Sequence, residues 1–284
     1  MTDTLRLLMP QWQGGNNPPY VLGAQLLAWL APESANTPQV EVPVEAPTGE
    51  PLPQEGGVVA RSALLRQLKS AQKIIDEHQP DRIIVFGGDC LVAQAPFAYL
   101  NEKYQGNLGI LWLDTHPDVS TPEQFCHEHA MVLGNLLGEG DPLFAAEVKR
   151  TVRPEMVMFG GVHDMRPYEE VTLNRLNIRK AGPKELSESS EPVLKWIEDN
   201  KIGHLAVHFD LDVLSPQEFR AILPCQPGDK PFDAALGEMT LSQISRLIQD
   251  VAKQTDLVGL AIAEHLPWDA INLKNFLASL PIFK

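Results

Sequence analysis

The stretch LGILWLDTHPD, residues 108–118, begins as a continuous apolar run and ends in acids and an imidazole. A short apolar run of this kind is typical of a strand that a parallel sheet buries on both faces. Ionisable side chains then follow at two-residue spacing, at Asp114, His116 and Asp118. Because side chains alternate along an extended strand, this spacing predicts that the three share one face.

Similar apolar runs recur along the chain, at residues 5–9, 82–86, 156–159, 204–209 and 257–263. Segments with helical spacing lie between them, most clearly at 60–78, 191–200 and 240–254. This alternation predicts a three-layer α/β fold, with a doubly wound, mostly parallel sheet covered by helices on both faces. The segment VEVPVE, residues 40–45, is compatible with an edge strand, where proline is tolerated. We expect residues 1–284 to form a single domain.

The composition limits the classes of partner. The chain has 37 acidic and 23 basic residues, a formal net charge of −14, so neither nucleic acid nor an anionic membrane is an expected partner. Three scattered cysteines, Cys90, Cys126 and Cys225, are too few for a disulfide framework and fit a reducing compartment. No signal peptide is recognisable, and no apolar run approaches the ~20 residues of a membrane span. We therefore expect a soluble, cytoplasmic protein.

Polar residues end four of the apolar runs, in FGGDC (86–90), LDTHPD (113–118), FDLD (209–212) and AEHLPWD (263–269). Ligand sites of parallel α/β sheets collect beyond the carboxyl ends of the strands, so these four ends should converge. Asp210 and Asp212 repeat the two-residue spacing, and four carboxylates in one crevice would repel each other without a cation. Oxygen ligands with one imidazole suit Mn²⁺ better than structural Zn²⁺, and two such clusters can hold a pair of ions.

Each motif taken alone has a simpler interpretation. The Asp-x-His-x-Asp segment alone could be a solvated strand exit, and GGDC alone a tight turn. Cys90 alone could be an inert buried thiol, and Glu264 an ordinary carboxylate at the end of a strand. His127 and His129 alone could be histidines at a helix start. The combination of both acidic clusters favours a metal site.

Taken in order over residues 82–269, these motifs resemble the arginase and agmatinase superfamily of ureohydrolases. The pattern of that superfamily is Gly-Gly-Asp-His, Asp-Ala-His-x-Asp, a His-Gly segment, Asp-x-Asp-x-x-Asp-Pro and a late Glu. The resemblance implies a parallel, eight-stranded α/β fold with two Mn²⁺ ions per chain. It also implies hydrolysis of a small guanidino compound, arginine-like, hydroxy-arginine-like or a guanidino acid, with urea released through a hydroxide that bridges the two ions.

The resemblance assigns roles to individual residues. The implied metal ligands are Cys90, Asp114, His116, Asp118, Asp210 and Asp212. Among them, Asp114 and Asp210 would bridge the ions, and Asp118 would also orient the hydroxide. His129 corresponds to the proton-shuttling histidine of the family, and Glu264 corresponds to the carboxylate that binds the guanidinium group.

Three departures from the family pattern bear on chemistry. Cys90 stands where most members have a histidine ligand, a feature similar to relatives that act on N-hydroxy-arginine, which also share the TPE of residues 121–123. Ser215 replaces a supporting Asp. Arg166 falls where arginase-like enzymes have an Asp for the α-ammonium of the substrate, and an arginine there can bind a carboxylate bidentately. We therefore expect a guanidino acid or a modified arginine as substrate.

Two other interpretations stay open. The chain could be a degenerate ureohydrolase that acts as a binding or assembly protein with an impaired metal site. It could also hydrolyse another C–N bond, as related deacetylases do, although those use one zinc ion and a His-His pair that this chain lacks. Members of the superfamily often form trimers or hexamers, so a homo-oligomer is open as well. Substrate choice is expected to depend on loops 119–128 and 215–239.

Overall fold

The computed structural model contains one large sheet and describes residues 3–34, 37–228 and 232–283. Its strands are β1 (Thr4–Met9), β2 (Gln39–Glu41), β5 (Arg82–Gly87), β6 (Leu108–Leu113), β7 (Val157–Gly160), β8 (Arg179–Ala181), β9 (His204–Asp210) and β10 (Asp256–Ala263), while β3 (Gln54–Glu55) and β4 (Val58–Val59) form a separate hairpin. The order is β2-β1-β5-β10-β9-β6-β7-β8, and all neighbours pair in parallel. The predicted parallel sheet of about eight strands is confirmed.

Helices cover both faces of this sheet. They are α1 (Tyr20–Leu30), α2 (Arg61–His78), α3 (Gln94–Lys103), α4 (Val132–Leu137), α5 (Pro142–Ala145), α6 (Pro167–Leu176), α7 (Pro183–Glu188), α8 (Glu191–Asn200), α9 (Leu241–Val251) and α10 (Trp268–Ser279). Three of them, α2, α8 and α9, were predicted from helical spacing. Thr240 begins α9 with a capping box, in which its hydroxyl and the Gln243 side chain each accept the other residue's backbone N–H. No helix of the described residues is long and apolar enough to cross a membrane.

The apolar strands form the middle of the core. All six residues of β6 are buried, as expected for a strand covered on both faces. The predicted edge strand, residues 40–45, overlaps β2 only at residues 40–41, since β2 is Gln39–Glu41. Among the described residues β2 pairs with β1 alone, so the ring of Pro43 just beyond it interrupts no further ladder. Strand β8 was not predicted, because its three residues include two exposed charged side chains. The single-domain organisation of residues 1–284 stays a prediction.

The sheet order brings the polar motifs together. The strands β5, β10, β9 and β6 are consecutive neighbours in the middle of the sheet, and each of the four carries one of the polar motifs at its carboxyl end. The predicted convergence of these four ends is confirmed. The site therefore lies at the carboxyl edge of the sheet, over its centre.

Candidate metal centre

Tight turns, rather than extended strand, orient the acidic clusters. Strand β6 ends at Leu113, and the Asp114 carboxylate Oδ1 then accepts the His116 backbone N–H at 2.7 Å. Asp118 adopts a left-handed backbone conformation with φ +51°, which is uncommon outside glycine. The expectation that strand alternation puts these residues on one face was therefore wrong. The side chains still converge, because an Asp side chain that bonds the backbone two residues ahead closes a turn.

The second acidic cluster uses the same device. Strand β9 ends at Asp210, whose Oδ1 accepts the Asp212 backbone N–H at 2.6 Å, and a 3-10 turn over Leu211–Val213 follows. Asp212 Oδ2 then lies 3.1 Å from His116 Nδ1, so the two turns face each other across the sheet edge.

The turn formed by GGDC, residues 87–90, places the Cys90 thiol beside the acidic clusters. Gly88 passes so close to Gln11 that any Cβ would overlap the Gln11 carbonyl, which explains the glycine. The buried Asp89 accepts the Leu91 backbone N–H at 3.2 Å and begins a short 3-10 helix with Cys90 as its first residue. The Cys90 Sγ consequently lies 2.9 Å from Asp210 Oδ2.

Candidate ligand atoms form three overlapping groups, each with all donor atoms within 4.8 Å of one another. The groups are Cys90, Asp114, His208 and Asp210; Asp114, His116 and Asp212; and Asp210, Asp212 and Glu264. Asp114 and Asp210, the two residues expected to bridge, are each shared between two groups. Asp118 is buried beside the groups and lines the same cavity, but it belongs to none of the three.

Burial and mutual repulsion dominate the electrostatics of the cluster. Burial, with the Asp212 charge, raises the pKa of Asp114 to about 6, and burial with neighbouring carboxylates raises the pKa of Asp118 and of Asp210 well above the usual range. Burial opposes the charged form of His116, but Asp212 and Asp114 outweigh it and raise the pKa of His116 well above its usual value. One imidazolium therefore faces several buried carboxyl groups. Their negative charges, when they are ionised, outnumber this one positive charge, and a divalent cation would balance the excess.

Unsatisfied polar atoms support the same conclusion. Within the part of the chain that the structure describes, the buried atoms without a hydrogen-bond partner include His116 Nε2, Asp118 Oδ2, Asp212 Oδ1 and both ring nitrogens of His208. Leaving such an atom unpaired costs ~1–3 kcal/mol, so proteins rarely collect several at one place without a function. Bound cations would satisfy the carboxylate oxygens and one nitrogen of each imidazole, and the donor set of thiol, imidazole and carboxylates is one that divalent transition metals accept. The residues present therefore fit a metal centre.

Glu264 follows β10 in a strained conformation. Its backbone has φ +65°, and its N–H donates to the Gly88 carbonyl at 2.7 Å. The Tyr20 hydroxyl donates to Glu264 Oε2 at 2.5 Å. Burial, together with the Asp212 charge, raises the pKa of Glu264 to about 8. Hydrogen bonds thus fix both the backbone and the carboxylate of a glutamate in the left-handed conformation. Such strain, maintained by surrounding contacts, is typical of a functional position.

An open cavity of about 640 Å³ lies above the cluster. Every predicted site residue except Asp114 lines it, and Asp114 lies beneath, with its Oδ1 3.6 Å from His116 Nδ1. His129 Nδ1 is 2.9 Å from the Gly14 carbonyl, and the Arg166 guanidinium lies 5.5 Å over the Phe125 ring. Both predicted specificity loops contribute to the lining, although residues 229–231 lie outside the described residues.

Two buried residues of this site were not predicted. Tyr20 could not be found by motif, because its contact with Glu264 joins residues 244 positions apart. His208 did carry a signal, since it lies two residues before Asp210 and therefore on the same face of β9. Burial lowers the pKa of His208 to about 3, so the ring is neutral and able to accept a cation at pH 7.

Glu128, the residue before His129, provides a pH-dependent prediction. Its Oε1 accepts from Asn135 Nδ2 at 2.8 Å, its Oε2 has no partner in the described part of the chain, and burial raises its pKa to about 9. Between its unfolded and folded pKa values only the folded state holds the proton, so stability falls as pH rises. Relative to Glu128→Gln, the wild type should lose up to ~1.4 kcal/mol of unfolding free energy per pH unit between pH 5 and 8. Urea denaturation measures the free energy of unfolding of both proteins at each pH. The same change with pH in the two proteins would contradict this prediction.

The fold and the site together define an α/β protein with a candidate metal centre at the carboxyl edge of its sheet. The sequence model of the arginase family matches residues 42–272, which is most of the chain. The chain belongs to the arginase family.

Curated relatives agree with this assignment. The arginase of Staphylococcus aureus (strain COL) is 27% identical over 145 residues, 48% of this chain and 47% of its own length. The arginase of Plasmodium falciparum is 26% identical over 212 residues, 70% of this chain and 49% of its own length. The chain thus spans about half the length of the curated relatives it matches.

Solved structures share the fold at low identity. The arginase of Entamoeba histolytica, in complex with L-ornithine, aligns with a TM-score of 0.79 at 16% identity over 94% of this chain and 92% of that chain. The arginase of Bacillus caldovelox gives 0.75 at 18% identity with the same coverages. The formimidoylglutamase of Bacillus subtilis gives 0.63 at 13% identity over 93% of this chain and 79% of that chain.

Proposed function

We propose that this chain is a ureohydrolase that hydrolyses the guanidinium group of a small guanidino compound and releases urea. The observation that carries the proposal is that one cavity combines the three ligand groups with Glu264, His129 and Arg166. Membership of the arginase family supports it, as do relatives and structural neighbours named arginase.

Two divalent ions per chain are the proposed cofactor, and Mn²⁺ is the ion that the family resemblance implies. The residues that would hold them are Cys90, Asp114, His116, Asp118, Asp210 and Asp212, all gathered at the same edge of the sheet. Bound divalent ions supply Lewis acidity and lower the pKa of water, which provides a nucleophile near neutral pH. The turns at Asp114 and Asp210 fix the carboxylates before any ion binds, because each turn is closed within the protein.

Glu264 would orient the substrate. Its carboxylate lies in the cavity wall, and a guanidinium group can pair with it in a planar, bidentate arrangement. The hydrogen bond from Tyr20 fixes one carboxylate oxygen, and the cationic substrate favours the ionised form against the burial that raises its pKa. Asp118 would orient the attacking water, since its Oδ2 has no hydrogen-bond partner in residues 3–34, 37–228 and 232–283.

His129 would carry the proton to the leaving nitrogen. The ring lines the cavity, and the contact of Nδ1 with the Gly14 carbonyl fixes its orientation. Imidazole suits this role because one ring nitrogen can accept a proton and later donate it. The products are urea, or an N-substituted urea, and an amine.

Arg166 is proposed to bind a carboxylate on the substrate. We expect Arg166→Met to raise KM for a guanidino acid ~10- to 100-fold, because a charge-assisted hydrogen bond is worth ~1.5–3 kcal/mol. KM for the guanidino amine of equal chain length should change little. Steady-state kinetics on the pair checks this, with Arg175→Met, on the surface of α6 and paired with Glu139, as the matched control. Equal changes in both KM values would exclude a carboxylate contact.

A panel of guanidino compounds tests the proposed function itself. The metal-loaded protein should release urea from arginine or at least one guanidino acid, or hydroxyurea from N-hydroxy-arginine, and Glu264→Gln should lower this release strongly. The second candidate is a degenerate ureohydrolase with a binding role, which Cys90 favours because most members of the superfamily have a histidine there. That candidate predicts no urea from any compound.

The proposed cellular setting follows the sequence. We assign the protein to the cytoplasm, an assignment supported by three free cysteines and an acidic composition. Small guanidino molecules are its proposed partners, and assembly into a homo-oligomer stays a prediction of the family resemblance.

A further inference from the structure

His208 occupies an unusual position beneath the carboxylate cluster. It pairs in register with Trp112 on the neighbouring strand, and the two residues precede Asp210 and Asp114, respectively, by two positions along the chain. Its ring stacks on the Trp112 indole with centroids 3.8 Å apart and an interplanar angle of 18°. The side chain is 0% exposed, and its Nε2 lies 3.8 Å from Asp114 Oδ2.

Packing alone does not explain a histidine here. Both ring nitrogens lie buried without a hydrogen-bond partner among the described residues, although a neutral imidazole has one donor and one acceptor. A phenylalanine could make the same stack without any unsatisfied polar atom. The imidazole therefore has a cost, and an ion bound to one ring nitrogen would remove the part due to that nitrogen. The thiol and two carboxylates of the first group lie within 4.8 Å of it.

We propose that His208 is a metal ligand, which forms an inner site with Cys90, Asp114 and Asp210. In this chain the imidazole of that site comes from strand β9, and the thiol takes the position at which most family members have a histidine. The inference rests on the proposed metal centre and does not depend on which guanidino compound is hydrolysed.

The geometry is compatible with a single ion. The four donor atoms lie within 4.8 Å of one another. A tetrahedral ion with bonds of about 2.0–2.3 Å separates its ligands by about 3.3–3.8 Å, so small side-chain rotations are sufficient. A thiolate and an imidazole favour borderline ions such as Zn²⁺ or Co²⁺ over Mn²⁺.

Trp112 supports two of these ligands at once. Its indole N–H donates to Asp114 Oδ2 at 3.1 Å, and its ring face holds His208 in place. Such outer contacts orient ligands and commonly change metal affinity ~10–100-fold when removed. Trp112 is thus a positioning residue for the inner site.

Cobalt titration followed by absorption tests the inference. Among the described residues, Cys90 is the one cysteine that belongs to a candidate ligand group. A thiolate-to-Co²⁺ charge-transfer band therefore reports binding at the inner site. We expect the band in the wild type and its absence in Cys90→Ser. His208→Phe should weaken the binding that produces the band at least ~10-fold. His204→Phe, on the same strand and stacked on Tyr104 at 3.8 Å, is the matched control and should bind like the wild type.

An unchanged titration in a folded His208→Phe protein would overturn the inference and make His208 a packing residue. Should that variant not fold, a crystal structure of the wild type loaded with Zn²⁺ decides. Anomalous density within about 2.3 Å of His208 and of Cys90 supports the inference, and an ion away from His208 overturns it. Urea release is measured separately, so a bound ion without hydrolysis would refute only the proposed function.

Discussion

Replacement of Asp210 by alanine is expected to abolish urea release and to remove bound metal at the same time. Asp210 belongs to two of the three ligand groups and is 1% exposed, so no solvent-facing residue can substitute for it. Since loss of even an outer partner costs ~10–100-fold in metal affinity, loss of a shared ligand should cost at least ~100-fold. Elemental analysis and a urea assay on the same preparation measure both effects.

The control for this prediction is Asp199→Ala, which removes a surface carboxylate paired with Arg179. It should keep both metal and activity. An Asp210→Ala protein that keeps two ions per chain and hydrolyses guanidino compounds would refute the proposed site.

Metal loading is expected to raise the melting temperature, and to do so more at pH 8 than at pH 5.5. Burial raises the pKa of Asp114 to about 6 and the pKa of Asp118 and Asp210 further, so the metal-free fold keeps protons that the unfolded chain releases. Stability of the metal-free protein therefore falls as pH rises through this range. Metal competes with those protons and binds more tightly at the higher pH.

The size of this effect follows from linkage. Free metal at 100 times its dissociation constant adds ~2.7 kcal/mol, or roughly 5 °C for a chain of this length. Differential scanning fluorimetry with Mn²⁺ or with a chelator at each pH measures it. Asp210→Ala should lose most of the shift, whereas an equal or larger shift at pH 5.5 would contradict the assigned electrostatics.

Patterns in the sequence predicted the middle of the fold better than its periphery. Apolar runs such as residues 204–209 revealed the central strands, because burial on both faces leaves little room for polar side chains. Strand β8 and helix α1 were not predicted from the sequence, because the strand is short and charged and the helix is apolar without a clear periodicity. Their structure depends on neighbours that lie far away in sequence.

Within the site, too, some residues were predicted from the sequence pattern, and others were missed because their role depends on neighbours that are distant in sequence. Asp114, His116, Asp210 and Asp212 were predicted to share a site from their spacing, although turns rather than strand alternation bring them together. His208 was missed because it lies inside a run counted as apolar. Its role depends on a cross-strand neighbour, and spacing along one strand does not show which strand pairs with it.

Cys90 need not indicate decay of the centre. A cysteine in place of the histidine at this position would weaken a site whose imidazole came only from there. In this chain His208 lies within ligand distance of the same group, so the imidazole has a second source. The degenerate interpretation therefore has to explain why an unpartnered histidine is kept beneath the carboxylates.

The most direct test of the metal centre is the number of divalent ions bound per chain in the wild type. Protein equilibrated with Co²⁺ or Mn²⁺ at pH 8 and freed of unbound ion is measured by elemental analysis, beside Cys90→His. We predict two Co²⁺ ions per chain in the wild type, with Cys90 and His208 both acting as metal ligands. Less than one ion per chain in the wild type, rising to two only in Cys90→His, would contradict the account.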